Sequence, residues 1–496
     1  MIRLVRIAAF LLLLASCDQS HVIGRPADLS PSRSVDLVPS RDLPPSGWVL
    51  SGGGPGKDHV GNLVVDGQGN LIVLGAFEDR MTIAGTTLTA HGPPAVLPDG
   101  CASLALGGTG GEFVLKLDSN GRLLWALDLP TFPECPHRDG LAVDTAGNIY
   151  ISASFMGTIT LGDKTLTSAG GEDVVVMKLH PGGKVVWATA AGGPGIDDGN
   201  GLAIDGAGAV VVTGSFSGTA RFGGTTLEAQ GATDAFVAKL DGGGAFSWAR
   251  RAGGPHDTAD LWPWSDYGDA VALDPAGNAH VVGHYIGSAS VGEDPGSFKI
   301  AVAKGDATTQ DTFVAKLDPG GRVIWAVASQ ASPVKIGDKD IRLDGPGNAY
   351  IAGMVASPFV GKLGPDGKWV WGYTLPCAGG WAQALVVRPG GSSIVSGTFL
   401  GTATFGKSGA LSSRGSGSYG SGDVFVAGLD AAGTILWGRQ AGGPKGYGDG
   451  IALAEDASGS LYVAGEQSGT VEMGGRTLTA VGGEDVFIWK LAAGEP

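Results

Sequence analysis

Short apolar runs alternate with Gly, Asp and Asn along almost the whole chain after residue 46. The clearest stretch is Trp187 to Leu240, in which the apolar runs Gly201 to Asp205 and Ala209 to Phe216 are joined by a small-residue turn of hairpin type. A third run, Ala235 to Leu240, leads through a glycine-rich turn to Trp248. The pattern therefore predicts two β-hairpins, or four strands, for this stretch.

Versions of this stretch recur seven times between Trp48 and the C-terminus. A turn followed by a strand that ends in tryptophan appears six times, at Trp125, Trp187, Trp248, Trp325, Trp371 and Trp437. Tandem units of roughly 40 to 50 residues or more, built from short strands, are typical of a β-propeller. We therefore predict an all-β fold, a seven-bladed β-propeller with four-stranded blades, in which the tryptophans belong to the core between blades.

Each end of the repeat region has an incomplete unit, and the two incomplete units complement each other. Trp48 opens the region with no strand before it, whereas the last run, Asp485 to Leu491, has no tryptophan strand after it. Pairing of these two strands would close the ring and leave no exposed edge. The predicted blades are Asn62 to Trp125, Gly140 to Trp187, Gly201 to Trp248, Ala270 to Trp325, Ile341 to Trp371, Ala384 to Trp437, and Gly450 to Leu491 completed by Trp48.

Composition is consistent with a large folded body. Of the 496 residues, 43% are hydrophobic and only 16% are charged, and the 88 glycines recur at turn positions between apolar runs, as in all-β proteins. The formal net charge of -15 argues against nucleic acid or anionic lipid as a general partner, because both would repel the chain. We expect a monomer.

The N-terminus has the pattern of a secretory signal. Arg3 and Arg6 precede the apolar run Ile7 to Leu14, which is too short to span a bilayer. Leu14 to Cys17 resembles the bacterial lipobox, which implies cleavage before Cys17 and lipidation of that cysteine. The alternative is an ordinary signal peptide. The predicted domains are a signal peptide at 1–16, a Pro- and Ser-rich stalk at 17–46 and the propeller at 47–496.

The repeated units themselves resemble a known family. Their first hairpins carry LxxD before the turn, as in LAVDTAGNIYISASF after Gly140, and their third strands follow FVAKLD-like sequences. In these respects the chain is similar to the bacterial SBBP repeats, which implies a seven-bladed propeller of a secreted or surface protein. The fifth unit departs from the pattern, since it lacks the middle insert.

Extra residues fall only at two kinds of connection. They lie between second and third strands (His91 to Gly110, Gly287 to Gln310, Lys407 to Gly422) or between blades (Leu129 to Asp139, Pro255 to Tyr267). In a propeller both kinds of connection lie on the same face, which is therefore the predicted binding face.

Seven aligned positions precede the first strands and are expected near the mouth of the channel on this face: Gly61, Asp139, Asn200, Asp269, Lys339, Gln383 and Asp449. The three aspartates, Asp139, Asp269 and Asp449, are candidate ligands for calcium. The alternative, favoured by the mixed identities and the lysine, is that each side chain caps its own turn or contacts channel water, so no cofactor is predicted. A second recurrent acid (Asp173, Asp234, Asp311, Asp423, Asp485) begins third strands and is interpreted as a hydrogen-bonding residue at the strand edge.

The loop HDTADLWPWSDYGDA is the most distinctive insert. Its His256, Trp262, Trp264 and Tyr267 combine aromatic surfaces with neighbouring carboxylates, which suits sugar or peptide recognition. The alternative is that these rings cover the apolar edge of the fourth blade.

Cysteine positions predict at most one disulfide. Cys101 and Cys135 both fall in connections of the first blade on the binding face and are the candidate pair, because an exported chain permits a disulfide. Cys377 is left over, either buried or free. No metal site is predicted, because the cysteines have no matching His spacing.

Enzyme motifs are weak. Gly415, Gly417 and Gly420 match GxGxxG but lie in a Ser/Gly loop, and neither GxSxG nor HExxH occurs. We therefore predict a non-enzymatic lipoprotein of the bacterial cell envelope, held by its lipid at the outer membrane or cell surface, that presents the binding face to a protein or glycan. The alternatives are an envelope enzyme of quinoprotein-like or lyase type that uses the channel acids, and a structural role in envelope assembly.

Overall fold

The computed structural model describes residues 47–90, 110–129, 140–255, 266–292, 298–301, 310–328, 340–355, 357–415 and 422–493. These residues belong to one unit of the chain, Pro39–Pro496. They form strands joined by turns, with a single short 3-10 helix at Gly406–Ser408. Within these ranges no helix is both long and apolar enough to cross a membrane.

The strands follow one another in hairpins. The first eleven are β1 Trp48–Gly52, β2 Asp58–Val65, β3 Leu71–Glu78, β4 Arg80–Ile83, β5 Thr86–Thr89, β6 Gly110–Leu117, β7 Leu123–Leu129, β8 Gly140–Val143, β9 Ile149–Leu161, β10 Lys164–Leu179 and β11 Val185–Ala191. The next twelve are β12 Asp197–Ile204, β13 Val210–Phe216, β14 Thr219–Phe222, β15 Thr225–Glu228, β16 Asp234–Leu240, β17 Phe246–Gly253, β18 Tyr267–Leu273, β19 Ala279–Ile286, β20 Ser288–Val291, β21 Phe298–Ala301, β22 Gln310–Leu317 and β23 Val323–Ala328. The last thirteen are β24 Asp340–Leu343, β25 Ala349–Val355, β26 Ser357–Leu363, β27 Trp369–Thr374, β28 Gly379–Val387, β29 Ser393–Leu400, β30 Thr402–Thr404, β31 Ala410–Ser412, β32 Asp423–Leu429, β33 Ile435–Glu455, β34 Leu461–Met473, β35 Arg476–Thr479 and β36 Asp485–Leu491.

Antiparallel pairing groups these strands into seven four-stranded blades, numbered along the chain. Their strands, from the first to the fourth or outer strand, are β2-β3-β6-β7, β8-β9-β10-β11, β12-β13-β16-β17, β18-β19-β22-β23, β24-β25-β26-β27, β28-β29-β32-β33 and β33-β34-β36-β1. Strand β33 serves two blades, because it pairs with β32 up to Ala441 and with β34 from Gly442 onwards. The predicted β-propeller is confirmed.

The N-terminal strand closes the ring as predicted. Strand β1 pairs with β36 in an antiparallel register that places Trp48 opposite Lys490 and Ser51 opposite Phe487. The first strand of blade 1, β2, lies against β33, β34 and β36 of blade 7, and every other blade contacts the next one along the chain. Blade 7 therefore combines the two ends of the repeat region and protects both edges.

The apolar core lies between blades rather than within them. One cluster joins Val237 and Trp248 of blade 3 to Val281 and Phe313 of blade 4, and similar clusters join other neighbouring blades. Blades 2 to 6 each use both faces of their sheet in such clusters, which explains the apolar residues on both sides of a strand. Burial of this area is the main stabilising contribution to the ring.

One face of the ring carries only tight turns. The hairpin turns, two in each of blades 1 to 6 and one in blade 7, follow a single pattern, in which the first residue donates its backbone N–H to the carbonyl four residues later and accepts from the N–H three residues later. Asp205, for example, bonds to Ala209 and to Gly208, and its carboxylate also accepts from the N–H groups of Ala207 and Ala209. The glycine at the fourth position has a positive φ in each turn, as at Gly208 (φ 80). We call this the turn face.

The opposite face, here called the loop face, carries the longer connections. Between second and third strands most blades extend a two-stranded arm, such as β4-β5, β14-β15 and β20-β21. The arm of one blade pairs with the end of the outer strand of the blade before it, as in the registers Ala252 with Val291 and Gly192 with Arg221. Blade 5, whose unit lacks the insert, passes from β25 to β26 without an arm.

Six tryptophans of outer strands form hydrogen bonds to the next blade. The indole Nε1 of Trp187 donates to the carbonyl of Gly242, 3.2 Å away, and Trp48, Trp125, Trp248, Trp325 and Trp371 make equivalent bonds. Each of these carbonyls belongs to the turn between the third and fourth strands of the following blade. Most of the indoles are half-buried, so they lie at the rim of the core, whereas Trp248 is buried.

We expect Gly244→Ala to lower the free energy of unfolding by about 1–3 kcal/mol, because the residue has φ 86 and an added Cβ would lie 2.7 Å from the Trp187 indole. Gly206→Ala, in the other turn of the same blade, is the matched control: nothing lies within 4 Å of its Cβ position and its φ is not positive. Urea unfolding of both variants measures the difference. Equal losses would contradict the proposed packing of glycine against tryptophan.

Candidate functional site

Several residues predicted from the sequence lie outside the described residues. They are Cys17, Cys101, Asp139, Cys135, His256, Trp262 and Trp264. Lipidation, the disulfide and the aromatic loop therefore stay predictions. The signal peptide and the stalk also fall outside the described ranges.

Tyr267, the last aromatic residue of that loop, is described and is buried. It begins β18, and its ring lies 5.1 Å from the imidazole ring of His284 on the neighbouring strand. Burial and the nearby carboxylates of Asp198 and Asp269 raise the pKa of its phenol. Only 5% of Tyr267 is exposed, so its ring contributes to packing between blades and offers little contact surface to a partner.

The channel-mouth aspartates that are described have partners within the protein. The Oδ2 atom of Asp269 lies 3.2 Å from Nδ1 of His284. Asp449 accepts from Nε2 of Gln383 at 2.7 and 2.8 Å and from the hydroxyl of Thr398. Both carboxylates are thus engaged without a cation.

Two contacts among the aligned polar residues connect successive blades. Asn200 of blade 3 donates from Nδ2 to the carbonyl of Gly268 in blade 4, 3.1 Å away, and Gln383 of blade 6 donates to Asp449 of blade 7. In both bonds the partner lies in the next blade, whereas the interpretation from the sequence placed it in the residue's own turn or in channel water.

The channel itself is narrow. Its cavity measures about 40 Å³ and is lined mostly by first-strand residues, among them Leu141, Leu202 and Leu453, with Asp269, Asp340 and Arg342 as charged members. Sites for drug-sized ligands measure about 300–1,000 Å³, so this cavity is too small for an organic substrate.

A set of buried carboxyls lies at the interfaces between neighbouring blades, here called seams. This set was not predicted from the sequence. Burial raises the pKa of Asp58 to about 8, of Asp197 to about 7 and of Asp266 to about 8. Each begins or immediately precedes the first strand of a blade, and a third-strand acid of the preceding blade contributes to its raised pKa: Asp485, Asp173 and Asp234, respectively. The pairs therefore favour a protonated acid at neutral pH.

Glycine makes this pairing feasible, and one seam differs from the others. A Cβ at Gly192 would lie 2.5 Å from Oδ1 of Asp173 and 2.7 Å from Oδ2 of Asp197, so the glycine lies between the two carboxyls. At the next seam Arg251 donates to Asp234 at 2.7 Å. The recurring sequence Gly-Gly-Pro before the first strands, at residues 53–55, 192–194 and 253–255, is the signal that would have revealed these pairs.

The large apolar side chains that are exposed form two groups. Leu124, Val186, Ile324, Val370 and Leu436 each precede a repeated tryptophan on an outer strand, close to the turn face. Met156 and Val481 belong to the connections between second and third strands on the loop face. Cys377, near the start of blade 6, is half-buried with its thiol 3.1 Å from the carbonyl of Gly379 and forms no disulfide.

Comparison with known proteins gives little beyond fold. No protein-family model matches the chain, and no curated protein matches it. Among solved structures, the chain is similar to BamB from Moraxella catarrhalis (14% identity, 87% of this chain, 85% of that chain, TM-score 0.36) and to a virginiamycin B lyase from Staphylococcus aureus with quinupristin (7%, 90%, 99%, 0.40). It is also similar to a protein of unknown function from Bacteroides caccae (12%, 66%, 89%, 0.35). Similarities at this level carry no conclusion about function.

Proposed function

We propose that this chain is a non-enzymatic lipoprotein of the bacterial cell envelope, of the SBBP-repeat type, whose propeller binds a protein or glycan partner through its loop face. The loop face means the end of the ring that carries the arms and the connections between blades. Its predicted contact residues include Trp262 and Trp264.

The observation that carries the proposal is the difference between the two faces. The turn face repeats one five-residue turn, from Asp66 to Asn70 in blade 1 to Asp456 to Ser460 in blade 7. On the loop face the connections differ from blade to blade in length and sequence, from the single residue between β25 and β26 to the long segment between β5 and β6. Variation on one face of a rigid ring is the pattern expected where recognition resides.

The chemistry of the channel favours binding over catalysis. Asp269 and Asp449, the described acids that an enzyme would use at the channel mouth, are engaged by His284 and Gln383. The channel cavity of about 40 Å³ is too small for a quinone or another organic cofactor. A surface-binding role requires neither a free acid nor a cavity.

Attachment to the membrane is proposed from the sequence. The lipobox-like sequence that ends at Cys17 would place acyl chains on that cysteine, and the Pro- and Ser-rich segment at 17–46 would separate the propeller from the bilayer. We expect the outer membrane or the cell surface to be the location.

The test is capture of partners from envelope extracts by the wild-type chain and by the double variant Trp262→Ala/Trp264→Ala. We expect the variant to retain less than about one tenth of the captured material, because aromatic anchors dominate interface energies. The matched control is Leu124→Ala/Ile324→Ala, which changes exposed apolar residues near the turn face and should capture as well as wild type.

Treatment of the extract before capture identifies the partner class. Protease should abolish capture of a protein partner, and periodate should abolish capture of a glycan. Equal capture by wild type and the Trp262/Trp264 variant would remove this loop from the proposed site. A thermal shift with quinone or calcium in the wild-type chain would instead support the enzymatic alternative.

A further inference from the structure

The seam between blade 7 and blade 1 contains a cluster that the repeat pattern does not explain. His59 comes from β2 of blade 1, Glu466 from β34 of blade 7, and Glu484 directly precedes β36. One potential ligand atom of each residue lies within 4.8 Å of the others, and among the described residues this is the one such group of three or more His, Cys, Asp or Glu. We propose that it is a binding site for a divalent transition metal, of which Zn²⁺ fits best.

The geometry around the imidazole carries this proposal. Nδ1 of His59 lies 2.9 Å from Oε1 of Glu466, yet this buried nitrogen makes no hydrogen bond of acceptable angle. Nε2 of the same ring lies 3.8 Å from Oε2 of Glu484. The exposed fractions of the three side chains are 14, 12 and 16%, so the cluster is largely dehydrated but still reachable by an ion.

The protein backbone and one phenol hold Glu484 in place. The backbone N–H of Asp58 donates to the carbonyl of Glu484 at 2.8 Å, which fixes the approach of the two chain segments. The hydroxyl of Tyr447 donates to Oε1 of Glu484. The second carboxylate oxygen, Oε2, is thereby directed towards His59. Such outer contacts orient metal ligands in known sites.

Charge also favours a cation at this position. Two carboxylates face one imidazole, so with a neutral imidazole the three side chains carry two negative charges. The nearby ammonium of Lys57 lies 3.8 Å from Oε2 of Glu484, but its side chain is more exposed and can turn into solvent. A divalent ion would neutralise both glutamates at once.

The ligand set selects the kind of metal. Imidazole and carboxylate together suit Zn²⁺, whereas Ca²⁺ and Mg²⁺ prefer oxygen ligands alone. Zinc ligands lie roughly 2.0–2.2 Å from the metal, so the ligand atoms of one tetrahedral site are about 3.5 Å apart. Small side-chain rotations from the present spacing would suffice, with water as the fourth ligand.

The position of the site gives the metal a structural consequence. His59 lies near the start of the repeat region, and Glu466 and Glu484 lie near its end, so a shared ion would link blade 1 to blade 7 across the seam that closes the ring. Because the ion would bind only the closed ring, it should raise the melting temperature, and the stabilisation should grow with the logarithm of the ratio of free ion to dissociation constant.

Calorimetric titration of the metal-stripped full chain with ZnCl₂ tests the proposal, with CaCl₂ and MgCl₂ for comparison. We expect one Zn²⁺ per chain and weaker or no binding of the other two ions. His59→Gln and Glu484→Gln should each weaken Zn²⁺ binding at least tenfold. His284→Gln is the matched control, because its imidazole also lies beside a carboxylate, with similar exposure, but does not belong to a group of three potential ligands; it should bind Zn²⁺ as wild type does.

A spectroscopic measurement keeps the proposal testable if a variant fails to fold. Co²⁺ added to the wild-type chain should give the intense visible absorption of a four-coordinate site, and Zn²⁺ should displace it. Absence of saturable Zn²⁺ binding, or binding that folded His59→Gln retains, would overturn the proposal. The cluster would then be an ion pair between a protonated imidazole and two carboxylates.

Discussion

Replacing Trp248 by alanine is expected to lower the free energy of unfolding by about 3–5 kcal/mol, the largest loss among the repeated tryptophans. Trp248 is only 8% exposed and belongs to the apolar cluster between blades 3 and 4, with Val237 and Phe313. Its indole N–H also donates to the carbonyl of Pro319, 3.0 Å away in the next blade. The change would leave a cavity and an unpaired carbonyl at the same seam.

Two further variants separate these contributions. Trp248→Phe keeps most of the buried area but removes the N–H donor, so we expect a loss of about 1 kcal/mol. Val370→Ala is the surface control: Val370 is 59% exposed on an outer strand and should change stability by less than about 0.5 kcal/mol.

Guanidinium unfolding followed by circular dichroism measures the total effect, and amide hydrogen exchange in β17 and β22 locates it. A loss below about 1 kcal/mol for Trp248→Ala would contradict the assignment of this indole to the core between blades. Uniformly faster exchange in all blades would show that the loss of stability is not confined to the interface between blades 3 and 4.

Blade architecture could be predicted because its determinants are local. Each hairpin joins strands that are adjacent in sequence, and the residues of its turn suit the turn conformation. The carboxylate of Asp205 accepts hydrogen bonds from backbone N–H groups of the turn, and Gly208 adopts its positive φ. Closure could also be predicted, because Trp48 lacked a partner strand and Asp485 to Leu491 lacked the strand after it. Pairing of Ser51 with Phe487 confirms this inference.

Apart from the core position of the repeated tryptophans, contacts between blades could not be predicted, because they join segments from different units of the repeat. Nothing in the residues around Val291 indicates that the arm of blade 4 pairs with Ala252 in blade 3. The continuous strand β33 was also not predicted: the sixth predicted blade ends at Trp437 and the seventh begins at Gly450, whereas one strand runs through both positions, from Ile435 to Glu455.

The seam chemistry was partly visible in the sequence. Asp58 and Asp197 both follow Gly-Gly-Pro by the same spacing, which could have identified them as a set. Their raised pKa values depend on burial, and burial follows from the packing of the next blade. The cluster of His59 with Glu466 and Glu484 had no local signal in the sequence. His59 precedes the two glutamates by about 400 residues and meets them only when the ring closes.

Asp58→Asn is expected to stabilise the protein increasingly as the pH rises from 5 to 8. Asp58 is fully buried, its Oδ2 accepts from the N–H of Gly54 at 2.7 Å, and its Oδ1 has no hydrogen-bond partner. Burial, followed by the charges of Asp485 and Glu78, raises its pKa to about 8, although His59 partly opposes this. An asparagine could keep the bond to Gly54 and direct its NH₂ group to the position of the unpartnered oxygen.

The direction of this pH dependence follows from the number of protons that the folded and the unfolded states bind. Between about pH 4 and pH 8 the carboxyl is protonated in the folded state and ionised in the unfolded state, so the unfolded state binds fewer protons and stability falls as the pH rises. Asparagine is neutral in both states and removes this dependence. The gain of Asp58→Asn over wild type should therefore grow by an amount on the order of 3 kcal/mol between pH 5 and pH 8. Urea unfolding at four pH values measures it.

Asp274→Asn provides the control, because this aspartate has the opposite environment. Burial works against it, but hydrogen bonds from Asn278 and Lys316 hold the pKa of Asp274 well below its ordinary value. Its carboxylate lies 2.9 Å from the Lys316 ammonium, so the variant leaves a mostly buried cation without its partner and should lose about 1–3 kcal/mol.

The two variants should therefore differ in slope as well as in sign. Asp274 is ionised in both the folded and the unfolded state between pH 5 and pH 8, so its loss should be constant over this range. A gain for Asp58→Asn that is equally independent of pH would mean that Asp58 is already ionised in the folded protein. The seam would then hold two negative charges side by side, and because an unneutralised buried pair is costly, some cation would have to accompany them.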